Sequence, residues 1–210
     1  MEYQAIVLAA GNSTRANLTY NKILHKVGEQ PIIFYSVNNF ILDKDCKNVI
    51  VVYNEKDLSE LQKVFSTHEK VVFVLGGNTR QESVNNALSY ITCDYTIIHD
   101  GARPYFTNNL LVNLKEKLKD FNAVIPVVDS IDTVKVIKDN IVVKTLKRDE
   151  IKRVQTPQGF KTNTIKKAHQ LAKHNLYTDD SSMVEELLDE KVYVIDGEVN
   201  NIKYTNKEDF

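Results

Sequence analysis

The sequence is poor in the features that mark several protein classes. Cys46 and Cys93 are its two cysteines. Because each stands alone, they argue against a zinc knuckle, a redox pair or a disulfide framework and favour a reducing compartment. Positive and negative side chains nearly cancel, with a formal net charge of −1. We therefore expect no nucleic-acid partner, and any anion site has to be built locally.

Long apolar runs are also missing. No stretch approaches the roughly 18 apolar residues of a membrane span, and residues 1–5 are acidic where a signal peptide is basic. We expect a cytoplasmic protein without a membrane partner. The chain has 210 residues, of which 42% are hydrophobic and 26% charged. These values are typical of a globular protein and predict a single domain over residues 1–210.

Short apolar runs recur along the first part of the chain. They lie at residues 5–9, 49–52, 71–75, 95–98 and 123–125. Runs of this kind are typical of strands covered on both faces, and stretches with helical spacing lie between them, as at residues 32–41. The alternation predicts an α/β fold with a mostly parallel, twisted sheet flanked by helices. Such a sheet binds its ligand at the carboxyl ends of its strands.

The pattern changes after Pro126. Residues 133–137 and 141–145 flank a turn and predict a hairpin within a protruding arm of about residues 130–155. The elements expected beyond the arm are two helices, at 162–174 and 179–189, and two short strands, near 192–195 and 202–204. Four lysines are expected on solvated helix faces, namely Lys63, Lys115, Lys117 and Lys119.

The loop after the first apolar run has the composition of a phosphate cradle. Residues 8–15 are mostly small and end in Arg15, and Lys22 follows at a short distance. Small residues let backbone N–H groups approach a phosphate chain, while Arg15 and Lys22 supply positive charge. The alternative is a simple tight turn, because the loop lacks both the Walker ending and the three-glycine dinucleotide fingerprint.

Two further loops follow predicted strands. Residues 76–83 hold two glycines, an arginine and a serine at a helix start, which indicates either a second anion or base-edge site or an ordinary capped turn. Asp100 stands directly beyond a buried strand and suits a Mg²⁺ ligand, with a salt bridge to Arg103 as the alternative. His99 is expected to be a hydrogen-bonded structural histidine.

Taken in order, seven segments resemble the cytidylyltransferases that act on 2-C-methyl-D-erythritol 4-phosphate. These segments are 8–15 with Lys22, 76–83, 99–104, 126–130, 156–158, 178–180 and 201–203. The resemblance implies a Rossmann-like nucleotidyltransferase fold and the transfer of CMP from CTP to this acceptor. The products are 4-diphosphocytidyl-2-C-methyl-D-erythritol and pyrophosphate. It also implies Mg²⁺ or another divalent cation and a homodimer through the arm.

The resemblance also implies roles for individual residues. The catalytic cations are Arg15, Lys22 and Lys203. The residues implied to bind CTP are Ala9, Ala10, Gly11, Gly77, Arg80, Ser83, Asp100 and Ala102. The residues implied to bind the sugar-alcohol phosphate are Asp100, Arg103, Ser130 and Arg148, the last two reaching across the dimer. Asp100 is the implied metal ligand.

The chain departs from the family pattern at a few positions. Asn21 stands where proline is usual before Lys22, and Ser13 stands where glycine is common. The family's Asp-Thr-x-Lys run aligns either with Ser130 or with Thr133, and distance from Pro126 favours Ser130. The acidic patch at residues 178–180 is expected to be an ordinary helix N-terminus without a catalytic role.

Two other functions remain as alternatives. Ribitol 5-phosphate cytidylyltransferases share the loops and the fold, although residues 80–84 and 99–104 are closer to the methylerythritol branch. A nucleotide-binding protein without catalysis is the second alternative, and the presence of both Arg15 and Lys22 argues against it.

Overall fold

The computed structural model describes residues 1–11, 13, 18, 20–173 and 177–210. Within these ranges the strands are β1 Tyr3–Leu8, β2 Lys26–Val27, β3 Gln30–Pro31, β4 Cys46–Tyr53, β5 Val71–Leu75, β6 Tyr95–Asp100, β7 Ala123–Asp129, β8 Lys135–Lys138, β9 Ile141–Thr145, β10 Lys152–Val154, β11 Gln158–Lys161 and β12 Val192–Asp196. The helices are α1 Ile32–Leu42, α2 Leu58–Val64, α3 Arg80–Leu88, α4 Asn108–Leu118, α5 Thr162–Leu171 and α6 Asp180–Leu188. The predicted α/β class is confirmed.

The central sheet is mostly parallel, as the sequence predicts. In the described part of the chain its order is β10-β7-β11-β6-β1-β4-β5, with β12 paired to β7. β1 pairs in parallel with β4 and β6, and β4 pairs in parallel with β5. The β7–β12 pair is parallel too, whereas β10 and β11 run antiparallel to their neighbours. The antiparallel strands come from the region after Pro126, where the sequence pattern changes.

The continuous apolar runs are explained by cores on both faces of the sheet. In β1, Ala5 and Val7 belong to a core that includes side chains of α1 and α4. Ile6 points to the other face and joins a core with side chains of α3, α5 and α6. Because side chains alternate along a strand, a strand covered on both faces needs apolar residues at consecutive positions.

The hairpin within the arm is a separate two-stranded sheet. β8 pairs with β9 in antiparallel register, and every residue of both strands is exposed. The hairpin prediction for residues 133–145 is therefore confirmed. Among the described residues, no helix has the length and apolar character needed to cross a membrane.

Two local predictions are wrong. Residues 202–204 form no strand. Tyr204 N–H donates to Ala102 O at 2.9 Å, but this single bond is not continued into a pairing with one of the described strands. Lys115 is not on a solvated face, because its Nζ lies 2.7 Å from carboxylate oxygens of both Asp43 and Asp45. The helical spacing of Lys115 matches its exposed neighbours, and only the packing of α4 against the loop at residues 43–45 buries it.

Candidate active site

The carboxyl ends of four parallel strands meet at one edge of the sheet. Leu8 at the end of β1 pairs with Asp100 of β6 and Val52 of β4, and Tyr53 pairs with Leu75 at the end of β5. A cavity of about 380 Å³ opens at this edge. Its lining includes most of the predicted nucleotide-binding residues: Ala10, Gly11, Lys22, Gly77, Arg80, Ser83, Asp100, Ala102 and Lys203. The fold therefore brings loops that are distant in sequence to one place.

Ala9 is the predicted CTP-binding residue that does not line this cavity. Ala9 is buried, its N–H donates to Val52 O at 2.8 Å, and its carbonyl accepts from Asn21 Nδ2 at 2.9 Å. Both of its backbone polar groups are thus used inside the protein. Arg15 lies outside the described residues, so its predicted role stays a prediction.

A buried polar network joins Ser13 and Asn21 to the backbone of Lys22. Ser13 has a left-handed backbone with φ of 55°, and its Oγ accepts from Lys22 N–H at 2.8 Å and donates to Asn21 Oδ1 at 3.0 Å. Asn21 Nδ2 also donates to Asp57 Oδ2 at 2.8 Å. These bonds fix the backbone of Lys22 where the sequence has neither the usual proline nor the usual glycine. The departures from the family pattern therefore create specific contacts in this chain.

The second loop is held closely against the start of α3. Gly77 N–H donates to Ser83 Oγ at 3.0 Å, and the Thr79 hydroxyl accepts from Glu82 N–H at 3.1 Å as the N-cap of the helix. A Cβ added at Gly77 would lie 2.3 Å from Cβ of Glu82. A larger residue at position 77 would therefore push this loop away from the helix and change the shape of the cavity.

Asp100 lies among three cationic side chains. Its Oδ2 is 2.7 Å from Lys203 Nζ and 3.7 Å from Arg103 Nε, and its Oδ1 is 3.8 Å from Arg80 Nε. Burial alone raises the pKa of the Asp100 carboxyl, but the charges of Lys203, Arg80 and Arg103 outweigh it and hold that pKa well below its usual value. Asp100 is therefore ionised at neutral pH. The salt bridge expected as the alternative role of Asp100 exists, with two further cations besides Arg103.

His99 is structural, as expected. Its Nε2 lies 2.9 Å from Arg103 O and its Nδ1 lies 3.0 Å from Thr156 Oγ1. Because a carbonyl can only accept, Nε2 carries the proton and Nδ1 accepts from the Thr156 hydroxyl. Burial lowers the pKa of His99 to about 4, so the ring is neutral at physiological pH. Its bonds fix the loop that carries Asp100 and Arg103.

A second cavity of about 390 Å³ adjoins the first. Arg80, Asp100 and Lys203 line both cavities, while Arg103 and Thr156 line only the second. The two spaces thus meet at one carboxylate and two cations. This geometry suits two anionic ligands that approach each other at the shared side chains.

The family model for 2-C-methyl-D-erythritol 4-phosphate cytidylyltransferase matches residues 3–210. This chain belongs to that family. A relative with this name from Bacillus thuringiensis is 38% identical over 99% of this chain and 94% of its own length. The solved structure of 4-diphosphocytidyl-2C-methyl-D-erythritolsynthase from Anaerococcus prevotii is 30% identical, with a TM-score of 0.87, and the match covers 99% of this chain and 94% of that one. The Francisella tularensis 2-C-methyl-D-erythritol 4-phosphate cytidylyltransferase is 30% identical with a TM-score of 0.84, covering 100% and 96% of the two chains. The protein is therefore a cytidylyltransferase, a nucleotidyltransferase enzyme.

One ion pair of this cytidylyltransferase, between Arg80 and Asp180, was not predicted from the sequence. Asp179 is the N-cap of α6, as expected for the acidic patch, and accepts from Ser182 N–H at 3.0 Å. Asp180, however, is fully buried and lies 2.7 Å from Arg80 Nη2, with His169 Nε2 at 3.2 Å on its other oxygen. The ion pair with Asp180 therefore fixes the guanidinium of Arg80, which lines both cavities. Local pattern gave no signal for this role, because two aspartates at a helix start are what capping alone requires.

The polar residues of the arm make contacts with one another within the chain. Ser130 is buried, and its hydroxyl donates to Asp132 O at 3.2 Å. The exposed Arg148 instead contacts Thr133, with 3.2 Å between Nη2 and Oγ1. None of these three residues lines either cavity of its own chain. The structure therefore pairs Arg148 with Thr133 rather than with Ser130.

Proposed function

We propose that this cytidylyltransferase transfers CMP from CTP to 2-C-methyl-D-erythritol 4-phosphate, forming 4-diphosphocytidyl-2-C-methyl-D-erythritol and releasing pyrophosphate. One observation carries the proposal: two adjoining cavities share Arg80, Asp100 and Lys203 at their junction. The names of the relatives that match this chain at full length agree with the same acceptor. A cytoplasmic location stays a prediction from the sequence.

The reaction needs positioning and charge stabilisation more than covalent chemistry. An oxygen of the acceptor phosphate attacks the α-phosphorus of CTP in line, the bond between the α- and β-phosphates breaks, and pyrophosphate leaves. CTP occupies the first cavity, with its phosphates against Gly11 and Lys22, and the acceptor occupies the second, beside Arg103. Lys203 stands between them, where a cation lowers the repulsion between the two phosphates and stabilises the charge of the transition state. In this proposal Arg15 supplies a further positive charge beside the triphosphate, as the family resemblance implies.

The residues at the junction fit a magnesium ion carried by the substrate. Within the described ranges, no three carboxylate, histidine or cysteine side chains form a metal cluster, which suits an ion that keeps phosphate and water ligands. Asp100 is the carboxylate of the junction, and among the described residues the ion pair at its Oδ1 is the long one with Arg80 Nε, at 3.8 Å. When bound, the ion would neutralise charge on the phosphates. Asp100 would hold it.

The proposal is tested by assay of both acceptors. The purified protein is incubated with CTP and Mg²⁺, together with either 2-C-methyl-D-erythritol 4-phosphate or ribitol 5-phosphate, and pyrophosphate release is measured. We expect release with the first acceptor. Release with ribitol 5-phosphate alone would show that the protein is a ribitol 5-phosphate cytidylyltransferase. CTP binding without release in either mixture would support the nucleotide-binding alternative.

We also propose that the protein is a homodimer joined by the arm. The hairpin carries large apolar side chains in the open, including Ile137, Ile141 and Val143, which are 54%, 69% and 62% exposed. A two-stranded hairpin by itself is marginally stable in water and needs a surface to pack against. A second copy of the arm offers such a surface, and it would bring Arg148 and Thr133 towards the partner's acceptor cavity.

An Ile141→Asp variant is expected to be monomeric, because a charge in an apolar interface loses burial energy and has no partner. Sedimentation at assay concentrations should show the wild type as a dimer and the variant as a monomer. Leu42→Asp is the matched control: Leu42 is 73% exposed at the end of α1, and this variant should remain dimeric. A wild-type monomer would contradict the dimer proposal.

Thr133 rather than Ser130 is proposed to contact the acceptor with Arg148. A Thr133→Val variant should raise the KM for the acceptor roughly tenfold, because a hydrogen bond to a charged group contributes about 1.5–3 kcal/mol. Ser130→Ala should leave that KM nearly unchanged. Both constants are measured at saturating CTP. The reverse order of effects would return the role to Ser130, as distance along the sequence predicts.

A further inference from the structure

The segment that carries Lys203 has no regular secondary structure. It follows β12 and runs from residue 197 to residue 205 without helix or strand. Its backbone is attached at its two ends: Gly197 N–H donates to Val127 O at 2.8 Å, and Tyr204 N–H donates to Ala102 O at 2.9 Å. Yet the Lys203 ammonium is held 2.7 Å from Asp100. A further contact between these two ends is therefore needed to fix the backbone of Lys203.

The side chain of Gln155 supplies that attachment. Its Nε2 donates to Glu198 O at 2.8 Å and to Asn201 O at 3.2 Å, and its Oε1 accepts from Glu198 N–H at 3.0 Å. Gln155 is 6% exposed and stands in the wall of the second cavity, so these bonds are largely shielded from solvent. One amide thus satisfies backbone groups on both sides of the turn at residues 198–201, as a neighbouring strand would do.

Asn201 connects the same turn to the active site. It is fully buried, and its Nδ2 donates to Thr156 O at 2.9 Å. Its carbonyl, which accepts from Gln155, also accepts from Arg103 Nη1 at 2.8 Å. The turn, the acceptor-side residues Arg103 and Thr156, and the backbone two residues before Lys203 therefore form one hydrogen-bonded unit.

We propose that Gln155 is a positioning residue for the transfer reaction, and that it acts by fixing the 198–201 turn so that Lys203 stays at the junction of the two cavities. This inference rests on the proposed function, in which Lys203 stabilises the transferring phosphate. A lysine side chain is long and flexible, so its ammonium is placed reliably only when its backbone is fixed. Misplacement of a reacting or charge-stabilising group by about 1 Å can cost as much as 10²-fold in rate.

The test is a double-mutant cycle with Gln155→Met and Lys203→Ala. Methionine keeps the length of glutamine but makes none of its hydrogen bonds. We expect Gln155→Met to lower kcat roughly tenfold or more with the KM for CTP within about twofold. In the Lys203→Ala background, the same change should lower kcat less than about twofold, because residues that act through one another are not additive.

Gln4→Met is the matched control. Gln4 is also a buried glutamine that joins a loop, with its Oε1 accepting from Thr92 N–H at 2.7 Å and from Cys93 N–H at 3.0 Å, but it lies at the opposite end of β1. Its variant should lose thermal stability and keep kcat. If Gln155→Met does not fold, Gly197→Ala replaces it, because a Cβ at Gly197 would lie 2.6 Å from Gln155 Oε1 and displace the same turn.

The outcomes separate this inference from the proposed function. Equal losses of kcat in the wild-type and Lys203→Ala backgrounds would overturn the positioning role of Gln155 and leave the proposed function intact. A Lys203→Ala enzyme with wild-type kcat would remove Lys203 from the chemistry and overturn the positioning role, whereas the proposed function fails only if the two-acceptor assay shows no release with 2-C-methyl-D-erythritol 4-phosphate. A small loss in the Lys203→Ala background, with a large loss in the wild type, supports the positioning role.

Discussion

A Lys22→Ala variant is expected to lose about 10²–10³-fold in kcat, the usual cost of removing one preorganised group that stabilises transition-state charge. Lys22 lines the first cavity, which is proposed to bind CTP, and the bond from its N–H to Ser13 Oγ fixes its backbone. Phosphoryl transfer depends chiefly on such placed charges. Steady-state assays of pyrophosphate release give kcat and the KM for CTP, and the thermal midpoint checks that the variant is folded.

The matched control for this variant is Lys26→Ala. Lys26 lies four positions further along the chain, in β2, and is exposed outside both cavities. Its removal lowers the net charge equally and should leave kcat unchanged. Normal turnover by Lys22→Ala, with Arg15 still present, would show that the first loop does not act through this lysine.

An Arg80→Leu variant is expected to be destabilised by about 3–5 kcal/mol at pH 7, because breaking a buried ion pair leaves an uncompensated charge. Asp180 is fully buried and Arg80 is its closest cation, at 2.7 Å. Activity should fall as well, since Arg80 lines both cavities. Urea unfolding monitored by circular dichroism gives the free energy of unfolding. A loss below about 1 kcal/mol would contradict this account of the pair.

The same pair predicts a dependence of stability on pH. Burial raises the pKa of the Asp180 carboxyl, but Arg80 and His169 outweigh it, so this pKa lies below its ordinary value of 3.8. The folded wild type therefore keeps this contribution above pH 3.8 and loses it as the pH falls through the lower folded-state pKa. Without Arg80 the pKa of Asp180 should rise, because only His169 is then left to offset burial. The stability difference between the wild type and Arg80→Leu should consequently shrink from pH 7 to pH 4.

Two further variants control for the ion-pair prediction. Arg80→Met combined with Asp180→Leu should recover most of the lost stability and remain poorly active, because an apolar pair can replace a buried ion pair without stranding a charge. Lys119→Ala removes the exposed partner of Glu116 and should cause no measurable loss, as solvent-exposed pairs contribute little. A double variant as unstable as the single one would indicate that packing, rather than the stranded carboxylate, causes the loss.

Local patterns in the sequence predicted correctly those elements whose structure depends on residues close together in the chain. The apolar runs of β1 and β4 predicted buried strands, because consecutive side chains of such a strand pack into the cores on opposite faces of the sheet. The hairpin of β8 and β9 was predicted because its turn and its flanking strands are adjacent in the chain. Gly77 and Asp100 were predicted as site residues from their place at the ends of strands and from the family resemblance, and Lys203 from the resemblance alone.

Patterns failed where a distant contact decides the outcome. Residues 202–204 have the composition of a strand, but the sheet offers them no neighbouring strand. Lys115 has the spacing of a solvated lysine and is buried by aspartates far away in sequence, Asp43 and Asp45. The role of Ser130 stays a prediction: the turn after β7 buries its side chain, and Thr133 lies beside Arg148.

The sequence by itself determined the α/β class, the alternation of strands and helices in the first part of the chain and the residue types that gather at the carboxyl edge of the sheet, because periodicity and loop chemistry are local properties. Only the tertiary structure decided which groups neutralise one another. The Arg80–Asp180 pair and the attachment of the Lys203 segment by Gln155 both join residues that are far apart in the chain. Such contacts depend on how layers pack in three dimensions, and no local pattern records that packing.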